Sequence, residues 1–188
     1  MSEVTKRALV NSLKKLLSKK ELSKITISNI TEDCGVNRQT FYYHFQDVYA
    51  LLEWIYTNEV IQEIEENNGN TYDTWQQGFL YIFEYIMENK EFVNNTYNSI
   101  SRDYFLRFIY HQTNILLINV INEKSQNVKM REEDKKFMAD FYQYGFVGIV
   151  QEWIEHGMKE KPEEIIKKFN CIIEGSFENA IERLKCSN

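Results

Sequence analysis

The chain has 188 residues, a net charge of −6, 43% hydrophobic and 14% aromatic residues, seven glycines and one proline. That length suits one large domain or a small one joined to a larger one, and so little glycine and proline excludes a turn-rich all-β fold. No apolar run of about 18 residues is present to span a membrane and MSEVTKRALV has no apolar signal core, so a cytoplasmic location is expected.

The charge is unevenly spread. Residues 1–50 hold eight Lys/Arg against five Asp/Glu, a balance of +3, which leaves −9 on the remainder. A basic head on an acidic body docks a polyanion with one end and resists non-specific binding with the other. A membrane surface is disfavoured as a partner for the same reason. Cys34, Cys171 and Cys186 are odd in number and form no CxxC, so Cys34 and Cys171 are expected to be reduced packing residues.

From Thr5 to about Lys20 an apolar stripe of Leu9, Leu13, Leu16 and Leu17 runs beside Lys6, Lys14, Lys15 and Lys19, which predicts a first amphipathic helix. Leu22 and Ile25 anchor its exit. Residues 26–45, TISNITEDCGVNRQTFYYHF, then read as a helix-turn-helix. Thr26 is an N-cap, because its hydroxyl oxygen accepts from a free backbone N–H of the first turn. Ile27, Ile30 and Cys34 share one helix face. Gly35 sits where the chain must leave that helix, and glycine adopts the left-handed conformation there without steric cost. Asn37 caps a second helix, on which Phe41 and Phe45 face inward. Its outer faces carry Arg38, Gln39, Thr40, Tyr42, Tyr43 and His44, with no acidic residue before Gln46. A helix lying in a groove of DNA needs donors and lacks carboxylates.

Residues 46–66 are expected to form a long fourth helix, with Val48, Leu51, Leu52, Ile55, Val60, Ile61 and Ile64 on its apolar face and NNGN at 67–70 ending it. Further helices are predicted over 73–89, 91–99 and 102–124. The last two span 131–157 and Pro162 to about residue 184. Pro162 is harmless in a first turn and Gly157 suits the position after a helix end. Gly145 and Gly148 lie inside the first of this pair, where they allow another helix to come close. Apolar faces this wide bury more than one neighbour, so these two helices are expected to pair with their copies in a homodimer. The interface expected there comprises Phe146, Ile149, Val150, Trp153, Ile166, Phe169, Ile173 and Phe177.

The order of a basic helix, then G-V-x-x-x-T-F-Y-Y-H-F from Gly35 to Phe45, then a helix opening QDVYALLEWIY, resembles the TetR/AcrR family of transcriptional regulators over about residues 5–56. The C-terminal part is similar to the branch that includes activators of dihydroxyacetone-kinase operons. The resemblance implies an all-α fold of about nine helices. A helix-turn-helix DNA-binding domain over 1–50 would be joined by the long helix to an effector-binding and dimerisation domain over 51–188. It implies a homodimer on a palindromic operator, with recognition helices in successive major grooves about 34–36 Å apart. Carried over residue by residue, Thr26 holds a phosphate, Arg38, Gln39, Thr40 and Asn37 face bases, and Tyr42, Tyr43 and His44 contact the backbone. Many members hold a phosphate with a lysine just after the recognition helix, where this chain reads Gln46-Asp47-Val48.

The resemblance also implies a sensing site for an unknown effector, either a small molecule or a protein co-regulator. Trp75, Phe79, Phe83, Tyr104, Phe108, His111, Tyr142 and Phe146 are material for such a cavity, and packing of the core is the plainer use of each. No enzyme is expected, because the three histidines are scattered and there is no phosphate loop or nucleophile elbow. No cofactor or metal is expected either. The competing class is an adaptor of the same fold that works through a protein partner with little DNA binding of its own.

Overall fold

A computed structural model describes residues 2–59, 75–99, 101–173 and 175–185. The fold is all-α, with no strand among the described residues. Helix α1 (Ser2–Leu17) lays Leu9, Val10, Leu13 and Leu17 into the core. A single 3-10 turn at Leu22–Lys24 buries Leu22. Helix α2 (Ile27–Cys34) and helix α3 (Arg38–His44) follow as expected, then α4 (Val48–Trp54). The expected long fourth helix changes geometry at Ile55–Glu59, which form a π turn. Its continuation over 60–66, the NNGN segment and residues 73–74 lie outside the described residues.

Beyond that point come α5 (Trp75–Glu88), α6 (Lys90–Tyr97), α7 (Arg102–Lys124), α8 (Glu132–Glu155), α9 (Pro162–Ile173) and α10 (Ser176–Leu184). The single final helix expected from Pro162 onward is therefore broken. Gly175 adopts φ 75°, ψ −11°, a left-handed conformation that no α-helix can pass through. Counting α9 and α10 as one interrupted helix gives nine among the described residues, the number implied by the resemblance.

Two compact units are present. The first comprises residues 1–69 and 89–108, the second residues 70–88 and 109–188, so α7 gives its first seven residues to one and the rest to the other. In the first unit the core runs through Leu9, Leu13, Ile30, Phe41, Leu51 and Leu52, all fully buried. Tyr56, on the π turn, packs against Phe92, Phe105 and Phe108 at ring-centroid distances of 5.3, 5.7 and 5.5 Å. Its hydroxyl shares a 2.5 Å hydrogen bond with Thr96. Burial pushes that phenol well above the usual tyrosine range, so it is a neutral packing residue. Asn95 ties α6 to α1 by donating to the Leu17 carbonyl at 2.5 Å.

The second unit is built on rings. Phe79 and Phe83 of α5 meet Phe146 of α8 at 4.2 and 5.4 Å, and Phe83 meets Trp153 at 5.0 Å. Phe169 of α9 closes on Phe146 at 5.3 Å. Such aromatic pairs add about 0.5–1.5 kcal/mol each beyond the area they bury. Gln76 of α5 donates to Asn170 of α9 at 2.8 Å, and the Tyr142 hydroxyl donates to Ser176 Oγ at 2.9 Å.

Candidate nucleic-acid interface

The frame of the helix-turn-helix is fixed by short-range chemistry. The Thr26 hydroxyl oxygen accepts from the Asn29 N–H at 3.2 Å, and the Asn29 side chain accepts from the Thr26 N–H at 3.1 Å. This reciprocal capping satisfies two otherwise orphan donors at the start of α2. Lys20 also donates to the Asn29 side chain, at 3.1 Å. At the other end Gly35 has φ 70°, and the Val36 N–H returns to the Thr31 carbonyl at 3.0 Å. Asn37 Oδ1 then accepts from both the backbone N–H (2.7 Å) and the hydroxyl (2.9 Å) of Thr40. Helix α2 is locked to α1 by Ser12, whose buried hydroxyl donates to the Ile30 carbonyl at 3.0 Å. Lys15 adds an ion pair to Asp33 at 2.6 Å.

On that frame α3 presents its outer face to solvent. Phe41 and Phe45 are buried, their rings 6.0 Å apart. Tyr43 is 82% exposed and Tyr42 59%. Gln39, Arg38 and Asn37 are exposed, whereas Thr40 and His44 are half-buried. The His44 ring meets Tyr43 edge-on at 4.9 Å, which restricts both. Three of the four expected base-facing side chains are engaged inside the protein. Asn37 and Thr40 hold each other, and the Arg38 guanidinium donates to Ser28 Oγ of α2. Ser28 is absent from the sequence reading because nothing in local spacing joins it to Arg38.

Just after α3, Asp47 caps α4 by accepting from the Ala50 N–H at 2.7 Å. Its carboxylate is thus directed at the positive end of its own helix. The Lys15 ammonium beside Asp33 holds that carboxyl below its ordinary value, while burial pushes the Cys34 thiol up. Cys34 is half-buried and Cys171 exposed, so the packing role expected for Cys171 does not fit its position.

The residues expected to line an effector cavity are divided between the two units. Phe79, Phe83 and Phe146 are packed against one another in the second unit, and Trp75 meets Phe79 at 5.8 Å. Tyr142 lies against Phe177 instead, at 4.4 Å. Tyr104 and Phe108 belong to the first unit, where Tyr104 stacks on Tyr49 at 6.2 Å. His111 is exposed. The ring-to-ring distances are those of a filled core rather than of cavity walls.

The side chains expected at a subunit interface are, with one exception, used inside the chain. Phe146, Val150, Trp153, Ile166, Phe169, Ile173 and Phe177 are all buried within the chain itself, and only Ile149 is exposed, at 41%. The apolar side chains that α8 and α9 leave in solvent are Phe137 (70%), Phe141 (67%), Tyr144 (66%) and Ile172 (76%), besides Ile149. Among the described residues no helix is long and apolar enough to cross a membrane, and no group of three His, Cys, Asp or Glu side chains is placed to hold a metal.

A capped helix-turn-helix with an exposed, donor-rich second helix, followed by an all-helical second unit, defines a one-chain transcriptional regulator. Residues 9–55 match the family model of bacterial regulatory proteins of the tetR family, and residues 73–175 match that of a transcriptional regulator C-terminal region of the same group. The chain belongs to the TetR family. It is 28% identical over 158 residues to the HTH-type dhaKLM operon transcriptional activator DhaS of Lactococcus lactis subsp. lactis (strain IL1403), covering 83% of this chain and 82% of that one. Solved structures share the fold. A dihydroxyacetone kinase operon activator DhaS superposes with a TM-score of 0.71 at 24% identity, over 97% of this chain and 99% of that one. NalD, the secondary repressor of the MexAB-OprM multidrug efflux pump in Pseudomonas aeruginosa, does so with a TM-score of 0.59 at 13% identity, over 100% of both chains.

Proposed function

We propose that this TetR-family regulator binds a palindromic operator as a homodimer, with α3 of each copy in a major groove, and that its second unit receives the signal that changes DNA affinity. The observation that carries the reading is the outer face of α3. It is acid-free, and it exposes Gln39, Tyr42 and Tyr43 on a helix whose two ends are fixed by Asn37 and by the buried Phe41 and Phe45. Gln39 is free to bridge an adenine edge. Arg38 reaches a guanine by leaving Ser28, or holds its helix pair rigid by staying. Tyr42, Tyr43 and His44 set register on phosphates. The Thr26 oxygen is an acceptor in its cap, which leaves the hydroxyl proton for a phosphate at the start of α2. We assign residues 1–50 the DNA-binding role and residues 51–188 dimerisation and sensing.

Two features of α8 support the homodimer. The first is the exposed row of Phe137, Phe141, Tyr144 and Ile149. The second is Gly145 and Gly148 in the same helix, each costing roughly 1 kcal/mol relative to alanine. No atom of this chain lies within 4 Å of where their Cβ atoms would sit, so the chain's own packing does not require glycine there. For the signal, the closed ring cluster of the second unit favours a protein co-regulator over an apolar molecule lodged among those rings. The likeness to an activator named for a dihydroxyacetone kinase operon supports activation rather than repression.

The base-reading and positioning roles are separable. Tyr43→Ala is expected to weaken binding to specific and random duplex alike. Gln39→Ala is expected to cost about 1–3 kcal/mol at one base position and to relax specificity there. Binding isotherms on a set of single-base operator variants make the comparison. Equal losses on every sequence for both variants would contradict the assigned roles.

A further inference from the structure

Two side-chain amides stand close together on the recognition helix. Asn37 opens α3 and Gln39 follows two residues on, and both are exposed. By residue type alone each would bridge an adenine, since an amide offers the donor and the acceptor that N7 and N6 require. Bonding within the chain separates them. Asn37 Oδ1 accepts from the Thr40 backbone N–H at 2.7 Å and from the Thr40 hydroxyl at 2.9 Å. An amide oxygen has two lone pairs, and both are spent. The orientation is fixed as well, because a backbone N–H only donates and so holds the oxygen, not the NH2 group, against the helix. What Asn37 has left for a partner is its two Nδ2 protons.

We propose that Asn37 reads guanine as a donor-only group, because its oxygen is held by Thr40. The proposal rests on the DNA-reading role given to α3 above and adds the base that one position recognises. In the major groove guanine presents two adjacent acceptors, N7 and O6. Adenine places its N6 donor beside N7, thymine its methyl group beside O4, and cytosine offers its N4 donor alone. Two protons with no acceptor beside them therefore match guanine best and cytosine worst.

Reading adenine instead would require Oδ1 to leave Thr40. The start of α3 would then lose its cap, and the Thr40 N–H would be left without its partner as the helix enters the groove. Gln39 caps nothing among the described residues, so the adenine role stays with it. Two amides on one short helix thus take different bases, and the difference lies in a bond inside the protein.

Selection from a library of randomised duplexes by the full chain, followed by sequencing, tests this without a known operator. The unaltered chain is compared with Asn37→Ser and Asn37→Asp. Serine and aspartate cap a helix as asparagine does, so α3 is expected to start in the same place, with circular dichroism and the thermal midpoint as the check. Serine removes the amide donors, and aspartate replaces them with acceptors. At one position of each half-site the unaltered chain is expected to enrich guanine by roughly tenfold. Asn37→Ser is expected to lose that preference, and Asn37→Asp to turn it to cytosine, whose N4 donates to a carboxylate. Guanine retained at every position by both variants, or adenine at the affected one, overturns the assignment and leaves sequence-specific binding in place. So does an even loss of affinity on all duplexes, which marks Asn37 as a phosphate contact. No enrichment by the unaltered chain overturns this inference and the proposed function together.

Discussion

At the scale of single residues the helix-turn-helix depends on contacts that span three or four positions. Thr26 with Asn29, Asn37 with Thr40 and the left-handed Gly35 are all legible in the sequence, because a cap is a local event and its residue types are few. Arg38 with Ser28 and Lys15 with Asp33 join separate helices, and no local spacing reveals them. The second pair carries a pH dependence whose sign is definite. Asp33 titrates below its ordinary 3.8 in the folded chain, mainly through its hydrogen bond to Lys15. Its stabilising contribution is therefore complete above the unfolded value and lost as pH falls through the folded one. Lys15→Met is expected to return the Asp33 midpoint upward toward the ordinary value, read by carbon-detected NMR of the carboxyl. An unchanged midpoint would show that the ammonium is not the cause. Because the pair is exposed, the change in global stability is expected to be slight.

At the scale of elements, helix positions were readable and the use of their faces was not. The 3.6-residue period placed α5, α7 and α8 to within a few residues of their observed ends. Helix α8 is apolar on two faces, and period alone does not say which face is the chain's own core. Met138, Ala139, Val147, Val150 and Ile154 complete that core, while Phe137, Phe141 and Tyr144 remain outside. The larger apolar cluster, from which the expected interface was read, serves the protomer's own core. Gly145 and Gly148 have no neighbour in that core. Gly145→Ala and Gly148→Ala meet no neighbour within the chain, so each is expected to stabilise the helix by about 1 kcal/mol. Each added methyl is also expected to weaken self-association, if these glycines let a second copy's helix come close as the homodimer reading has it. Denaturant titration at low concentration, paired with sedimentation equilibrium, reads the two effects separately. A variant that gains both stability and association would contradict a close crossing at these positions. Gly175 has a different role, since its left-handed φ of 75° ends α9. The wide apolar pattern on both sides of it concealed the break, although the glycine itself was the available signal.

At the scale of the molecule, the split of +3 on residues 1–50 against −9 on the rest suits a regulator that touches DNA with one region only. Family membership was legible from the Gly35–Phe45 motif because that motif encodes a turn, a cap and an inward aromatic pair in eleven residues. The sensing site was not legible. Aromatic residues suited to a cavity wall are equally suited to a filled core, and Phe79, Phe83 and Phe146 are used for the core. A polyanion partner has a further consequence at this scale. Each phosphate neutralised by a lysine or arginine releases counterions, so affinity falls as salt rises, with a slope of about 0.9 per contact.

Fluorescence anisotropy of the purified full chain on duplex fragments flanking its own gene, at two salt concentrations, reads sequence-specific operator binding. The proposed function requires tight binding to one palindromic fragment, a stoichiometry of two chains per duplex and a marked loss of affinity at the higher salt. Equal affinity for that fragment and for random duplex, or binding indifferent to salt, would contradict a sequence-specific operator-binding regulator.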